Sequence, residues 1–111
     1  MTNAAGSCHD PERIDMFAVC VTFELAQDAL PAFLPLMRVQ ARTSLAKEPD
    51  CHVFDICVDT GTNVVLLYEL YSDAEAFQAH LGTAHFKEFD VAVTDLVRGK
   101  SVRTFPEVIR S

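Results

Sequence analysis

The stretch Tyr68–Phe89, YELYSDAEAFQAHLGTAHFKEF, decides the fold. In order, it holds the end of a β-strand, a capped helix, a glycine stop and the start of a second helix. Ser72-x-x-Glu75 has the form of a capping box, in which the hydroxyl and the carboxylate each satisfy an otherwise orphaned helix amide. Gly82 is a natural helix stop, and Thr83 can cap the second helix. Phe86, Phe89, Val93 and Leu96 form the buried stripe of that second helix, which Gly99 ends. His80 and His85 fall at the joint between the two helices. Imidazoles at a break surrounded by apolar side chains are where a small enclosed pocket is expected.

Upstream, Phe17–Leu25 (FAVCVTFEL) is apolar on both faces until Glu24 and predicts a strand buried on both sides. Asp28 is placed to cap a helix with Pro31 in its first turn. Leu30, Phe33, Leu34, Met37, Ala41 and Leu45 recur at helical spacing, and the helix is expected to end near Glu48–Pro49. Cys51–Val58 and Val64–Tyr71 read as two strands joined as a hairpin by the turn cluster Asp59–Asn63. Lys100–Ile109 is the expected fourth strand, with Pro106 at an edge or a strand end.

The predicted order is β-α-β-β-α-α-β, the split βαβ or ferredoxin-like α+β plan with an antiparallel sheet. Met1–Asp15 has no periodicity and is expected to be a flexible arm, leaving residues 16–111 as the domain. The helices can cover only one face of the sheet, yet the first and third strands are apolar on both. A second copy, packed sheet to sheet, is the expected cover.

The 111 residues are enough for one domain, and half of them are hydrophobic. A net charge of −7 with scattered basic residues argues against nucleic acid or an anionic membrane as partner. The four cysteines form no CxxC pair. Cys51 and Cys57 are about 20 Å apart along one strand, too far to bridge. Without a secretory signal or a membrane-spanning run, a cytoplasmic chain with reduced thiols is expected. There is no GxGxxG and no P-loop, so no nucleotide cofactor is expected. No HxH or HExxH arrangement occurs, so no metal site is expected either.

Four pieces then point to a family: Ala32-Phe33-Leu34; Glu48-Pro49-Asp50-Cys51 with Phe54-Asp55; Tyr68-Glu69-Leu70-Tyr71; and His80-Leu81-Gly82-Thr83-Ala84-His85-Phe86-Lys87. In this order and spacing, from about Met16 to about Thr104, the chain resembles the antibiotic biosynthesis monooxygenase family of small dimeric α+β-barrel proteins. The resemblance implies a homodimer and a small-molecule substrate. Members include cofactor-independent oxygenases of quinols and polyketides, haem-degrading enzymes, and an isomerase of a phosphorylated autoinducer sugar. The haem-degrading branch carries a tryptophan where this chain has Tyr71, and its iron-binding histidine falls about where this chain has Asp90. Haem cleavage is therefore not expected. The pocket Trp or Asn of other oxygenase members is not evident, and the usual turn glycine before Cys51 is Asp50.

Strand alternation gives His52, Phe54 and Ile56 one face, and a family-like register turns it towards the helices. His85 sits in a first helical turn, where the dipole disfavours imidazolium. His52 or His85 is the expected base, and Tyr71 the expected donor to a substrate oxygen. Phe54, Leu67, Glu69, Phe77, His80 and Phe89 are the expected substrate contacts, with Glu69 needing a partner such as Arg103. The expected function, as the resemblance implies, is a cofactor-independent monooxygenase acting with O₂ on a quinol or a phenolic, polyketide-like compound. The alternatives are an isomerase of a small carbonyl compound, phosphorylated ones included, and a non-catalytic small-ligand-binding module.

Overall fold

β-branched and aromatic residues alternate through the two strands that form the middle of the sheet. The structure, a computed structural model, describes residues 13–14 and 16–110. Its elements are β1 (Arg13–Ile14), β2 (Phe17–Leu25), α1 (Leu30–Lys47), β3 (Cys51–Asp59), β4 (Val64–Tyr71), α2 (Ala74–Leu81), α3 (Ala84–Ala92), β5 (Val97–Phe105) and β6 (Val108–Ile109), with a 3₁₀ turn at Thr94–Leu96. The main sheet runs β3-β4-β2-β5, antiparallel throughout. This is the expected ferredoxin-like α+β plan with all helices on one face.

That face is built from Val19, Val21, Phe23 and Leu25 of β2 and Val65, Leu67, Glu69 and Tyr71 of β4, all buried. Phe33, Met37, Gln40, Ala41 and Ser44 form the buried stripe of α1. Phe33 packs on Phe23 at 5.1 Å and on Phe89 of α3 at 6.1 Å between ring centroids. Burial of these large aromatics is the main force holding α1 and α3 to the sheet. The opposite face carries Ala18 and Cys20 of β2, Val53 and Cys57 of β3, Leu66, Tyr68 and Leu70 of β4, and Phe105 of β5.

Several local expectations are corrected. Asp28 adopts a left-handed φ of 64° and belongs to the turn, so Ala29 takes the cap position of α1 without a side-chain hydrogen bond. Asp73, not Ser72, caps α2, accepting from the Ala76 N–H at 2.8 Å. Aspartate one residue nearer the helix reaches its amide directly. α3 ends at Ala92, because Thr94–Leu96 tightens into a 3₁₀ turn, and β5 starts at Val97 with Gly99 inside it. β5 closes at Phe105, before Pro106; the segment beyond it returns as β6 and pairs with β1. Of the arm expected over Met1–Asp15, Arg13–Ile14 form that strand, and the rest lies outside the described residues. No described helix is long and apolar enough to cross a membrane.

Candidate functional site

The joint between α2 and α3 is fixed by one hydroxyl. Thr83 Oγ1 accepts from the Phe86 N–H at 3.2 Å and donates to the His80 carbonyl at 2.7 Å. The same side chain therefore caps α3 and closes α2. The two imidazoles are held with ring centroids 5.9 Å apart.

Glu48, at the C-terminal cap of α1, lies against both. Its carboxylate accepts from His80 Nδ1, at 3.1 Å to Oε1 and 2.9 Å to Oε2. His85 Nε2 stands 2.8 Å from the same Oε2, although its N–H is out of line for a good hydrogen bond. On its other side, His85 Nδ1 is 3.1 Å from Gln40 Oε1. Gln40 is buried, and its Nε2 has no partner.

A cavity of about 40 Å³ lies between this cluster and the sheet. Its walls are largely apolar: Val21, Phe23, Met37, Phe54, Leu67, Phe77, Phe86, Phe89 and Val102. Its polar points are Gln40, Glu69, His80 and Lys100. That volume has room for ordered water but is well below the roughly 150 Å³ that receives a benzene ring. Lys100, on edge strand β5, lies 5.5 Å from the Phe23 ring centroid and 5.6 Å from that of Phe86. A wider surface cleft beside Phe17, Ser72 and Phe105 has no histidine on its walls.

Burial sets the protonation states. It lowers the pKa of His80, outweighing the Glu48 carboxylate, which pulls the other way. A neutral His80 with Nδ1–H given to Glu48 leaves Nε2 as the basic nitrogen. Burial pushes Glu69 up to about 7, against the hydrogen bond from Tyr71, which lowers it. Tyr71 donates to Glu69 Oε1 at 2.5 Å, and burial followed by the Glu69 charge drives its phenol far above the usual range. Burial also lifts the Cys51 thiol to about 12, so it stays protonated and is no nucleophile.

The structure brings Phe54, Leu67, Glu69, Phe77, His80 and Phe89 onto the wall of one cavity. It separates three other expected residues from that cavity. His52 is exposed, with Nε2 2.7 Å from Ser72 Oγ. The cause is a β-bulge: Cys51 pairs with Tyr71 and Val53 with Leu70, so the extra residue turns Cys51 inwards and His52 out. His85 points to Glu48 and Gln40 and does not line the cavity. Tyr71 is fully buried, and its hydroxyl is committed to Glu69. Arg103 is no partner for Glu69: it faces the opposite side of the sheet, opposite Cys20, over the ring of Phe105. Glu48, Gln40 and Lys100 were not anticipated as site residues. Gln40 alone left a trace, a polar side chain within the apolar spacing of α1. Among the described residues, no group of three or more His, Cys, Asp or Glu side chains is placed to hold a metal ion.

A four-stranded antiparallel sheet with helices on one face and a small, largely apolar cavity between them define a ferredoxin-like α+β domain. The family described as antibiotic biosynthesis monooxygenase matches residues 16–91, and the chain belongs to it. Solved structures agree on the fold. A protein of Caulobacter crescentus CB15, called a "putative antibiotic biosynthesis monooxygenase", is similar with a TM-score of 0.79 and 25% identity, over 86% of this chain and 92% of that one. A Nitrosomonas europaea protein of the same description gives 0.78 and 24%, over 83% and 89%. One from Bacteroides thetaiotaomicron VPI-5482 gives 0.79 and 19%, over 87% and 93%. No protein of curated function matches the chain.

Proposed function

We propose that the chain is a monooxygenase that uses O₂ to oxidise a small quinol or phenolic, polyketide-like compound, with the substrate supplying the electrons. The observation that carries this reading is the buried His80, which lines an apolar cavity and is hydrogen-bonded to the half-buried Glu48 behind it. Nε2 of a neutral His80 takes the phenolic proton, and Glu48 stabilises the imidazolium that forms. The phenolate, held among apolar walls and stripped of water, is the electron-rich species that O₂ attacks. Gln40 and Glu69 are placed to orient substrate oxygens. The balance is quinol plus O₂ giving hydroxyquinone plus water: one oxygen atom enters the ring and the other leaves as water. Substrate must widen the cavity, and the edge strand beside Lys100 and the half-exposed Val102 is the side able to give.

The reading includes a cytoplasmic homodimer. The sheet face away from the helices carries Leu66 and Phe105, at 37% and 39% exposure, beside Tyr68 and Cys20. A second copy's sheet would cover this surface.

Oxygen uptake with a panel of quinols and anthrones tests the reaction, alongside NMR of small carbonyl compounds, phosphorylated ones included. Uptake matched mole for mole by an oxygenated product is expected. Isomerisation of a carbonyl compound without uptake would replace this reading with the isomerase. Tight ligand binding with neither reaction would leave a binding module.

A further inference from the structure

We propose that Lys100 recognises an anion at the mouth of the cavity, and that the substrate is an aromatic compound bearing a carboxylate as well as the phenol offered to His80. The proposal deepens the reading above, since it takes His80 as the group that receives the phenol. Antiparallel pairing sets Lys100 of β5 opposite Phe23 of β2, so both side chains lie on the helix-facing side of the sheet. There the ammonium stands 5.5 Å from the Phe23 ring centroid and 5.6 Å from that of Phe86, and the ring faces attract it. The His80 ring is 5.2 Å from the same Phe86 ring. A single-ring ligand lying along Phe86 therefore reaches from the base to the cation.

Lys100 is the one Lys or Arg on the cavity wall among the described residues. Its side chain is 35% exposed while His80 is 3% exposed, so the cation sits at the wet end and the base at the dry end. Its ion-pair partner, Asp90, is 3.9 Å away and 58% exposed, too long for a hydrogen bond and open to solvent. The three ammonium donors are thus free to take up a ligand's carboxylate. Gln40 marks a second polar point. It is buried on the same wall, one end of its amide meets His85, and the other end has no partner. A phenol hydroxyl, donor and acceptor at once, satisfies that end whichever way the amide faces. Glu69 is pushed up to about 7 by burial, so below that pH it is mostly neutral and does not repel an acid. An inward-pointing lysine on an edge strand also discourages edge-to-edge pairing. That duty alone would make no distinction between a charged and a neutral ligand.

The test is binding of 4-hydroxybenzoate and 4-hydroxybenzamide, which share ring and phenol and differ by one charge. Both are titrated into the full chain without oxygen, at about pH 6 where the carboxylate is ionised, and followed by ¹⁵N NMR shifts. The wild type should bind the acid about tenfold more tightly or better, the scale of one charge-assisted hydrogen bond. Lys100→Met keeps the stem over Phe23 and Phe86 and should lose that preference, while Lys100→Arg should keep it. Equal affinity of the wild type for the two probes, or binding of neither at millimolar concentration, overturns the proposal, and this comparison needs no variant to fold. An undiminished preference in Lys100→Met overturns it too. 4-Hydroxyphenyl phosphate is the third probe: a gain from the phosphate with none from the carboxylate would overturn the carboxylate assignment in favour of a phosphorylated ligand. Preference for the acid in a chain that takes up no oxygen would retire the oxygenase reading and leave the anion subsite standing. Oxygen uptake with neutral quinols and no preference for the acid would do the reverse.

Discussion

Glu69 gives the chain an unusual dependence of stability on pH. Its carboxyl is 2% exposed, and burial raises it from an ordinary 4.5 to about 7. A carboxyl raised on folding holds its proton more tightly in the native state than in the unfolded one. Its stabilisation is therefore complete below about 4.5 and is lost as pH rises through about 7. The gap between those two values corresponds to roughly 3 kcal/mol, lost by about pH 8. His80 works in the opposite sense. Its pKa is lowered by burial, so the unfolded chain binds the extra proton and stability rises with pH towards the ordinary value of 6.5. The wild-type curve alone mixes the two, and Glu69→Gln separates them. Gln keeps an oxygen for the Tyr71 hydroxyl but cannot ionise. Urea unfolding at fixed protein concentration, from about pH 5 to about pH 8.5, should show the wild type losing roughly 2.5 kcal/mol relative to Glu69→Gln across the range. Parallel curves for the two proteins would refute the reasoning, because they would mean that Glu69 titrates alike folded and unfolded.

Phe33, fully buried between Phe23 and Phe89, holds α1 to the sheet and to α3. Phe33→Ala should cost about 3–5 kcal/mol in urea unfolding, the range for emptying an aromatic core site. Leu66→Glu, on the sheet face away from the helices, should shift the mass by light scattering from dimer towards monomer while leaving the helical circular dichroism unchanged; an unaltered mass would show that this face is not the interface.

The fold was legible because its signals are local. Thr83 caps α3 as its position before AHFKEF suggests, and the hairpin turn before Val64 is as expected, with Asn63 at a φ of 58°. The helix caps were readable only to within a residue: Ser72 and Asp73 both have capping side chains, and which of them reaches the amide depends on how the chain leaves β4. At the site, strand alternation worked for Phe54, Leu67 and Glu69 but failed for His52. A bulge exists only in the pairing of two strands, and nothing within Cys51–Asp55 announces it. The histidines at the α2–α3 joint are legible in the sequence, but not that His80 lines the cavity while His85 turns to Gln40 and Glu48. His80 is oriented by a hydrogen bond to Glu48, which is 32 positions away in the chain and lies at a helix end that the sequence marks only as a stop. Gln40 and Ser44 sit within the buried stripe of α1, where the eye for apolar spacing passes over polar residues. Tyr71 and Glu69, read separately as donor and buried acid, turn out to satisfy one another.

We propose His80, oriented by Glu48, as the base of a cavity in which O₂ oxidises a phenolic substrate. The direct measurement is product mass and rate under ¹⁸O₂ for the wild type, His80→Gln and His52→Gln, with a quinol that supports uptake. The account predicts one ¹⁸O atom in the wild-type product, a rate at least about a hundredfold lower in His80→Gln, and a rate near wild type in His52→Gln. An unlabelled product, or a His80→Gln rate equal to that of the wild type, would contradict it.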